Sequence, residues 1–135
     1  MNTSATVLVF CALAVTLVLG HHPKPMFAAA AEKCIEKTGV DLDALKTLHE
    51  TGGVNADEKL KCFGACIMKG LGVMAEDGTV DVEAAKELVP SDVPDRDKIV
   101  AVIEACHHEK GANECETAHA IGMCMHKNHM NDMQN

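Results

Sequence analysis

The chain has 135 residues, a length that provides one domain with a single hydrophobic core. Its formal net charge is −8, and no basic cluster interrupts the acidic pattern, which disfavours nucleic acid and anionic membranes as partners. Because 47% of the residues are hydrophobic and recur with helical spacing, the composition also excludes a disordered chain.

The N-terminal segment differs in composition from the rest of the sequence. Residues 7–19 are apolar except for Thr16, and no charged side chain appears before Lys24. An apolar segment of this length is typical of a secretory signal peptide, whereas a membrane-spanning helix needs roughly 20 apolar residues. We therefore predict a signal peptide over residues 1–20, a mature domain over residues 21–135, and a secreted, extracellular protein.

Helical spacing of apolar residues and clear capping signals predict three helices in the first half of the mature domain. The first ends near Gly39, where a glycine can take the conformation that closes a helix. Asp41 caps a short second helix that ends at Gly52. The third begins at Asn55, and Glu58 three residues later completes a capping box.

Two further helices follow a turn. Asp81 opens the fourth helix, and Pro90 stops it because proline cannot continue the backbone hydrogen bonds. Ser91 or Asp92 caps the fifth helix, which ends before Gly111.

The sixth helix begins at a second capping box, formed by Asn113 and Glu116, and continues through Met125. Residues 127–135 show no periodicity, so we do not expect this tail to form a full helix. No strand pattern, repeat or low-complexity segment appears in the sequence. The elements together predict an all-α fold of six short helices.

Six cysteines remain once Cys11 is removed with the signal peptide. In an oxidising compartment, an even number of cysteines in so short a chain predicts three disulfides. Cys62 and Cys66 stand four residues apart on one predicted helix, so their side chains point the same way and each suits a partner elsewhere. Spacing alone leaves the remaining pairing open. The six are Cys34, Cys62, Cys66, Cys106, Cys115 and Cys124.

This cysteine pattern resembles that of insect odorant-binding proteins, which include the pheromone-binding and general-odorant-binding groups. The shared spacing is three residues between the second and third cysteines and eight between the fifth and sixth. The signal peptide, the six helices and the acidic charge agree with it over the whole chain. The resemblance implies the disulfides Cys34–Cys66, Cys62–Cys115 and Cys106–Cys124.

The resemblance also implies six short helices around an apolar cavity, cross-linked by three disulfides. The implied function is a secreted carrier that binds and solubilises small hydrophobic ligands such as odorants, pheromones or related lipids. The implied partners are a small hydrophobic molecule, a membrane receptor and a second copy of the chain in a weak homodimer. The alternative is a secreted helical interaction or defence protein, such as a venom or seminal component, without a cavity.

Reactive side chains offer competing interpretations. Cys115 and His119 share one predicted helix face, but zinc needs reduced thiolates, which an exported six-cysteine protein does not supply. The only serine of the mature domain is Ser91, at a predicted cap, and no nucleophile elbow is present. We therefore expect no catalytic residue, metal site or cofactor, and no enzyme. Among the eight histidines, His119 is the candidate for a pH-dependent role, because it lies one turn after Cys115.

The candidates for the cavity wall are apolar residues beyond those that seat the disulfides. Since disulfides provide stability that a solid core would otherwise supply, a cavity is tolerable. The chain has no Trp and no Tyr, so we expect flexible aliphatic alcohols, esters, aldehydes or fatty acids rather than flat aromatics as ligands. The candidates are Phe63, Met68, Leu71, Val73 and Met74 on the third helix, Leu88 on the fourth, Val100 and Ile103 on the fifth, and Ile121 and Met125 on the sixth.

Overall fold

A computed structural model of the chain describes residues 25–133. The predicted signal peptide over residues 1–20 lies outside this part. The described residues form six helices, and an isolated bridge between Met74 and Val80 is the one strand-like pairing among them. The all-α fold predicted from the sequence is confirmed. The helices are α1 (Pro25–Thr38), α2 (Leu42–Thr51), α3 (Glu58–Gly70), α4 (Val82–Glu87), α5 (Arg96–Cys106) and α6 (Glu114–Met133).

Three of the predicted helix caps are confirmed. The side-chain oxygens of Asp41, Asp81 and Asn113 each accept the N–H group of the residue three positions later, at 2.7, 3.0 and 3.0 Å. These bonds satisfy donors that the first turn of a helix leaves without partners. The end of α1 also matches the prediction, because Gly39 takes a positive φ of 70° and donates to the carbonyl of Ile35.

The predicted start of α3 at Asn55 was wrong. Asp57 is the cap, and its carboxylate accepts the N–H of Leu60 at 2.9 Å. Asn55 has a positive φ of 62°, a left-handed conformation that asparagine tolerates better than most residues. It therefore belongs to the turn that precedes the helix.

The predicted caps of α5 at Ser91 and Asp92 were also wrong. The helix begins at Arg96, after Asp95 with a positive φ of 59°. A proline disfavours helical backbone in the residue before it, so Pro94 opposes a helix that already includes Val93, and the helix begins two residues after the proline.

The last helix is longer than predicted. Residues 127–133 continue α6, so the expectation that this tail forms no full helix was wrong. Neither glycine nor proline interrupts the chain after Gly122. The Asn128 amide also anchors this segment, because it donates to the Cys124 carbonyl at 2.8 Å and to the Cys106 sulfur at 3.5 Å.

Helix α3 occupies the centre of the fold. It packs against α1 on one side and α6 on the other, while α6 also packs against α5, and α5 against α4. Two clusters of buried residues result from this arrangement, one on each side of α3. The first contains Cys34, Val40, Leu60 and Phe63, and the second contains Ala65, Met74 and Ala118.

Three disulfides cross-link these helices in the pairs that the family resemblance implies. Cys34–Cys66 joins α1 to α3, Cys62–Cys115 joins α3 to α6, and Cys106–Cys124 joins α5 to α6. The two cysteines on α3 therefore have separate partners, as their parallel side chains require. Among residues 25–133, no helix is both long and apolar enough to span a membrane.

An ion-pair group connects α4 to α5. Lys86 on α4 contacts Glu104 on α5 as well as its neighbour Glu83. The hydrogen bond from Lys86, and then its charge, hold the pKa of Glu104 below its usual range. The Glu104 carboxylate in turn raises the pKa of Lys86.

Replacement of Glu104 with glutamine is expected to reduce the loss of stability on acidification. Because its pKa is lower in the folded than in the unfolded chain, the Glu104 contribution is fully present above the unfolded value of about 4.3 and is lost as the pH falls through the folded value. Urea denaturation at a series of acidic pH values measures this slope. Glu87→Gln, which removes an exposed carboxylate of α4, is the control, and an unchanged acid slope in Glu104→Gln would contradict the prediction.

Candidate functional site

A groove of about 500 Å³ lies between α5 and the second half of α6. Its volume falls within the range of about 300–1,000 Å³ that is usual for small-molecule sites. Residues 98, 99 and 102 recur at helical spacing, so they share one face of α5, and residue 95 directly precedes that helix. Residues 125 and 129 share one face of α6. The lining residues are Pro94, Asp95, Lys98, Ile99, Val102, Met125 and His129.

The Cys106–Cys124 disulfide joins the two helices that form this groove. Its two Cα atoms are 5.6 Å apart, so the helices are held close together at this point. Val102 lies one turn before Cys106, and Met125 directly follows Cys124. The lining residues lie before Cys106 on α5 and after Cys124 on α6. The two helices that form the walls are therefore antiparallel, and both extend away from the disulfide.

The groove changes from apolar to charged along its length. Val102 and Met125 lie at the disulfide end, whereas Asp95, Lys98 and His129 lie at the other. The Lys98 Nζ atom is 3.9 Å from a carboxylate oxygen of Asp95, and both side chains are more than two-thirds exposed. This end of the groove is therefore open to solvent.

Met125 is the one predicted wall residue that lines the groove. Helix α3 is covered by α1 and α6, and its Phe63 belongs to the first buried cluster. The placement of Leu71, Val73 and Met74 on this helix was wrong, because α3 ends at Gly70; Met74 lies in the second cluster, with Met68 of α3 packed against it. Val73, Ile103 and Ile121 are buried, and Leu71, Leu88 and Val100 are half-buried, without lining the groove.

Sequence reasoning did not single out the other groove residues as ligand contacts. The spacing of Lys98, Ile99 and Val102 along α5 could have shown that they share a face, and Met125 and His129 stand four residues apart. What the sequence did not reveal was that the tail continues as helix beyond Met125. Without that extension α6 supplies no second wall.

His119, which the sequence placed on one helix face with Cys115, does not belong to a group of potential metal ligands among the described residues. Among the described residues, one group of potential ligand atoms lies within 4.8 Å of one another: Glu58, Cys62 and Cys115. Both sulfurs belong to one disulfide and are not available as thiolates. His119 is half-buried beside the turn at Gly53, away from the groove lining.

A second cleft, of about 490 Å³, lies between the turn at residues 77–80 and the loop that leads into α6. Its lining is largely polar and includes Asp77, His107 and Lys110. Hydrogen bonds from Thr79 hold the pKa of the Asp77 carboxyl below its usual range. This cleft therefore keeps a charged group at neutral pH and is a poorer environment for an apolar ligand than the groove.

Comparison with known proteins shows which family resembles this chain. The model of the PBP/GOBP family matches residues 21–128. General odorant-binding protein 69a of Drosophila melanogaster is 24% identical over 92 residues, which are 68% of this chain and 61% of that protein, so the match spans less than two thirds of the relative.

Solved structures of insect odorant-binding proteins share the fold. One from Locusta migratoria is 28% identical and superposes with a TM-score of 0.69, covering 76% of this chain and 78% of that one. An odorant-binding protein of the medfly is 29% identical, with a TM-score of 0.62 over 76% of this chain and 86% of its own.

Proposed function

Because the chain belongs to the PBP/GOBP family, we propose that it carries small hydrophobic ligands and binds them in the groove between α5 and α6. The observation that supports this site is a groove of ligand size whose disulfide end is apolar. Burial of apolar ligand surface contributes about 25 cal/mol per Å², so an aliphatic chain gains affinity by lying along Ile99, Val102 and Met125.

Among the predicted wall residues, we propose that Met125 contacts ligand directly. Ile103 and Ile121 are buried one turn before Cys106 and Cys124, so they support the disulfide end of the groove. The other candidates would reach a ligand only if the helices moved apart, because they do not line the groove. These are Phe63, Met68, Leu71, Val73, Met74, Leu88 and Val100.

The lining also supports a preference for flexible ligands. The chain has no Trp or Tyr, and the groove contains no Phe, so a flat aromatic ligand finds no aromatic carbocycle to stack on. Methionine side chains adapt to irregular aliphatic shapes. We therefore infer that aliphatic alcohols, esters, aldehydes and fatty acids bind better than rigid aromatics of equal size.

The compartment and partners follow from the same proposal. Three disulfides and the apolar N-terminal sequence support secretion into an extracellular fluid. We infer that the protein acts by binding rather than catalysis, since the groove offers no nucleophile paired with a base. The membrane receptor and the weak homodimer stay predictions that rest on the family.

A substitution that fills the groove tests the proposed site. Val102→Trp is expected to weaken binding at least about tenfold, because the indole occupies space that the ligand needs. Displacement of an environment-sensitive fluorophore by dodecan-1-ol measures the affinity. The matched control is Ala101→Trp, since Ala101 is the exposed neighbour on another face of α5. Equal affinities in the two variants would rule out the groove, and absence of binding by the unmodified protein would rule out the carrier function.

A further inference from the structure

The ammonium group of Lys98 has unused hydrogen-bonding capacity at the open end of the groove. Its distance of 3.9 Å from the Asp95 carboxylate is an ion pair but too long for a hydrogen bond. A lysine ammonium carries three donors, and 68% of the Lys98 side chain is exposed. The group can therefore donate to a ligand without losing a hydrogen bond to another described residue.

The Lys98 charge lies at one end of an apolar track, formed by Ile99, Val102 and Met125. Val102 is four residues from Lys98 along α5, which corresponds to about 6 Å, and Met125 is the same number of residues from His129 along α6. Both helices therefore present an apolar residue near the disulfide and a basic residue about one turn further out. A ligand that matches this groove has an aliphatic chain and a polar group at its end.

The sign of the surrounding charge favours an anionic group at this position. The chain carries a formal net charge of −8, so most of its surface repels an anion. The Lys98 ammonium is the one lysine or arginine charge that lines the groove beside the apolar track, and the Asp95 carboxylate is the one acidic group there. Asp95 competes with a bound anion for the Lys98 ammonium.

Building on the proposed carrier function, we propose that the groove selects amphiphiles with a carboxylate headgroup, such as fatty acids, over neutral ligands of the same chain length. The carboxylate lies against Lys98 with His129 on the opposite wall, and the aliphatic chain extends towards the Cys106–Cys124 disulfide. The Lys98 ammonium positions the ligand carboxylate. Asp95 limits the preference for acids over neutral ligands because it competes for that ammonium.

Two substitutions with opposite expected effects test this assignment. Affinities for dodecanoic acid and dodecan-1-ol are measured by calorimetry at neutral pH, and the ratio of the two is compared between variants. Lys98→Met is expected to lower the acid-to-alcohol ratio about two- to fivefold, the range for an exposed ion pair. Asp95→Asn is expected to raise it, and asparagine suits the positive φ of 59° at this position.

Lys127→Met is the control, because it removes an exposed lysine of α6 that does not line the groove, and it should leave the ratio unchanged. The assignment is overturned if Lys98→Met weakens both ligands equally, since this would show a packing role for the lysine stem. It is also overturned if all three variants give the same ratio. If Val102→Trp fails to weaken either ligand, the groove is not the site and the headgroup selection fails with it, while the carrier function fails only if the unmodified protein binds neither ligand.

Discussion

Replacement of Gly52 with alanine is expected to lower the free energy of unfolding by about 2–4 kcal/mol. Two costs combine at this position. Gly52 ends α2 with a positive φ of 69°, a conformation that costs a residue with a Cβ atom about 1 kcal/mol or more. An added Cβ would also meet the ring of His126 and lie 2.7 Å from the His126 Cβ atom, so α6 itself would have to move.

Gly39→Ala separates the two costs. Gly39 also ends a helix, at a positive φ of 70°, but an added Cβ would meet nothing within 4 Å. This variant should lose only about 1 kcal/mol in urea denaturation. The Gly52 effect should also shrink in a His126→Ala background, because most of the crowding atoms are then absent. If Gly39→Ala and Gly52→Ala are equally destabilised, contact between α2 and α6 does not explain the glycine at position 52.

The sequence predicted the features of this fold that depend on neighbours along the chain. Asp41 and Asp81 cap their helices because the bond spans only three residues, so local spacing is sufficient evidence. The separate partners of Cys62 and Cys66 followed from the helical repeat in the same way. The pairing itself required the family resemblance.

The helix ends that the sequence analysis predicted wrongly lie where two local signals compete. Asn55 is as good a cap as Asp57 by residue type, and the choice between them depends on which one takes the left-handed turn. The tail after Met125 lacks an apolar stripe, so periodicity gives no helix there. In the folded protein the Asn128 amide ties this segment to the disulfide that joins α5 to α6.

The candidate site was the least predictable part because it is formed by two helices that meet only after folding. Apolar residues such as Phe63 on α3 satisfied every sequence criterion for a cavity wall, but α1 and α6 cover this helix. Phe63, and Met74 beyond the end of the helix, lie in the buried clusters. Lys98 and His129 are unremarkable in the sequence. Their significance comes from the antiparallel arrangement that places both beside one apolar track.

Removal of the Cys106–Cys124 disulfide is expected to have the largest effect on binding of any cross-link in the protein. Cys106 is completely buried, so we choose Cys106→Ala/Cys124→Ala to avoid placing a hydroxyl group in the core. The bridge spans 18 residues of sequence, for which the chain-entropy model gives a loss of about 3 kcal/mol in unfolding free energy. Because the bridge also holds together the two helices that form the groove, the remaining folded protein should bind dodecan-1-ol at least about tenfold more weakly.

The other two bridges make this prediction specific to the groove. Cys62–Cys115 spans 53 residues and Cys34–Cys66 spans 32, so the same model gives losses of about 4 kcal/mol for each of these pairs. Neither bridge joins α5 to α6. Stability and binding should therefore rank the variants in opposite orders: the Cys106→Ala/Cys124→Ala protein loses the least stability and the most affinity. Binding is compared at low temperature, where circular dichroism shows each variant to be folded. If affinity instead falls in proportion to stability across the three variants, the ligand responds to the fold as a whole, and the space between α5 and α6 has no special role.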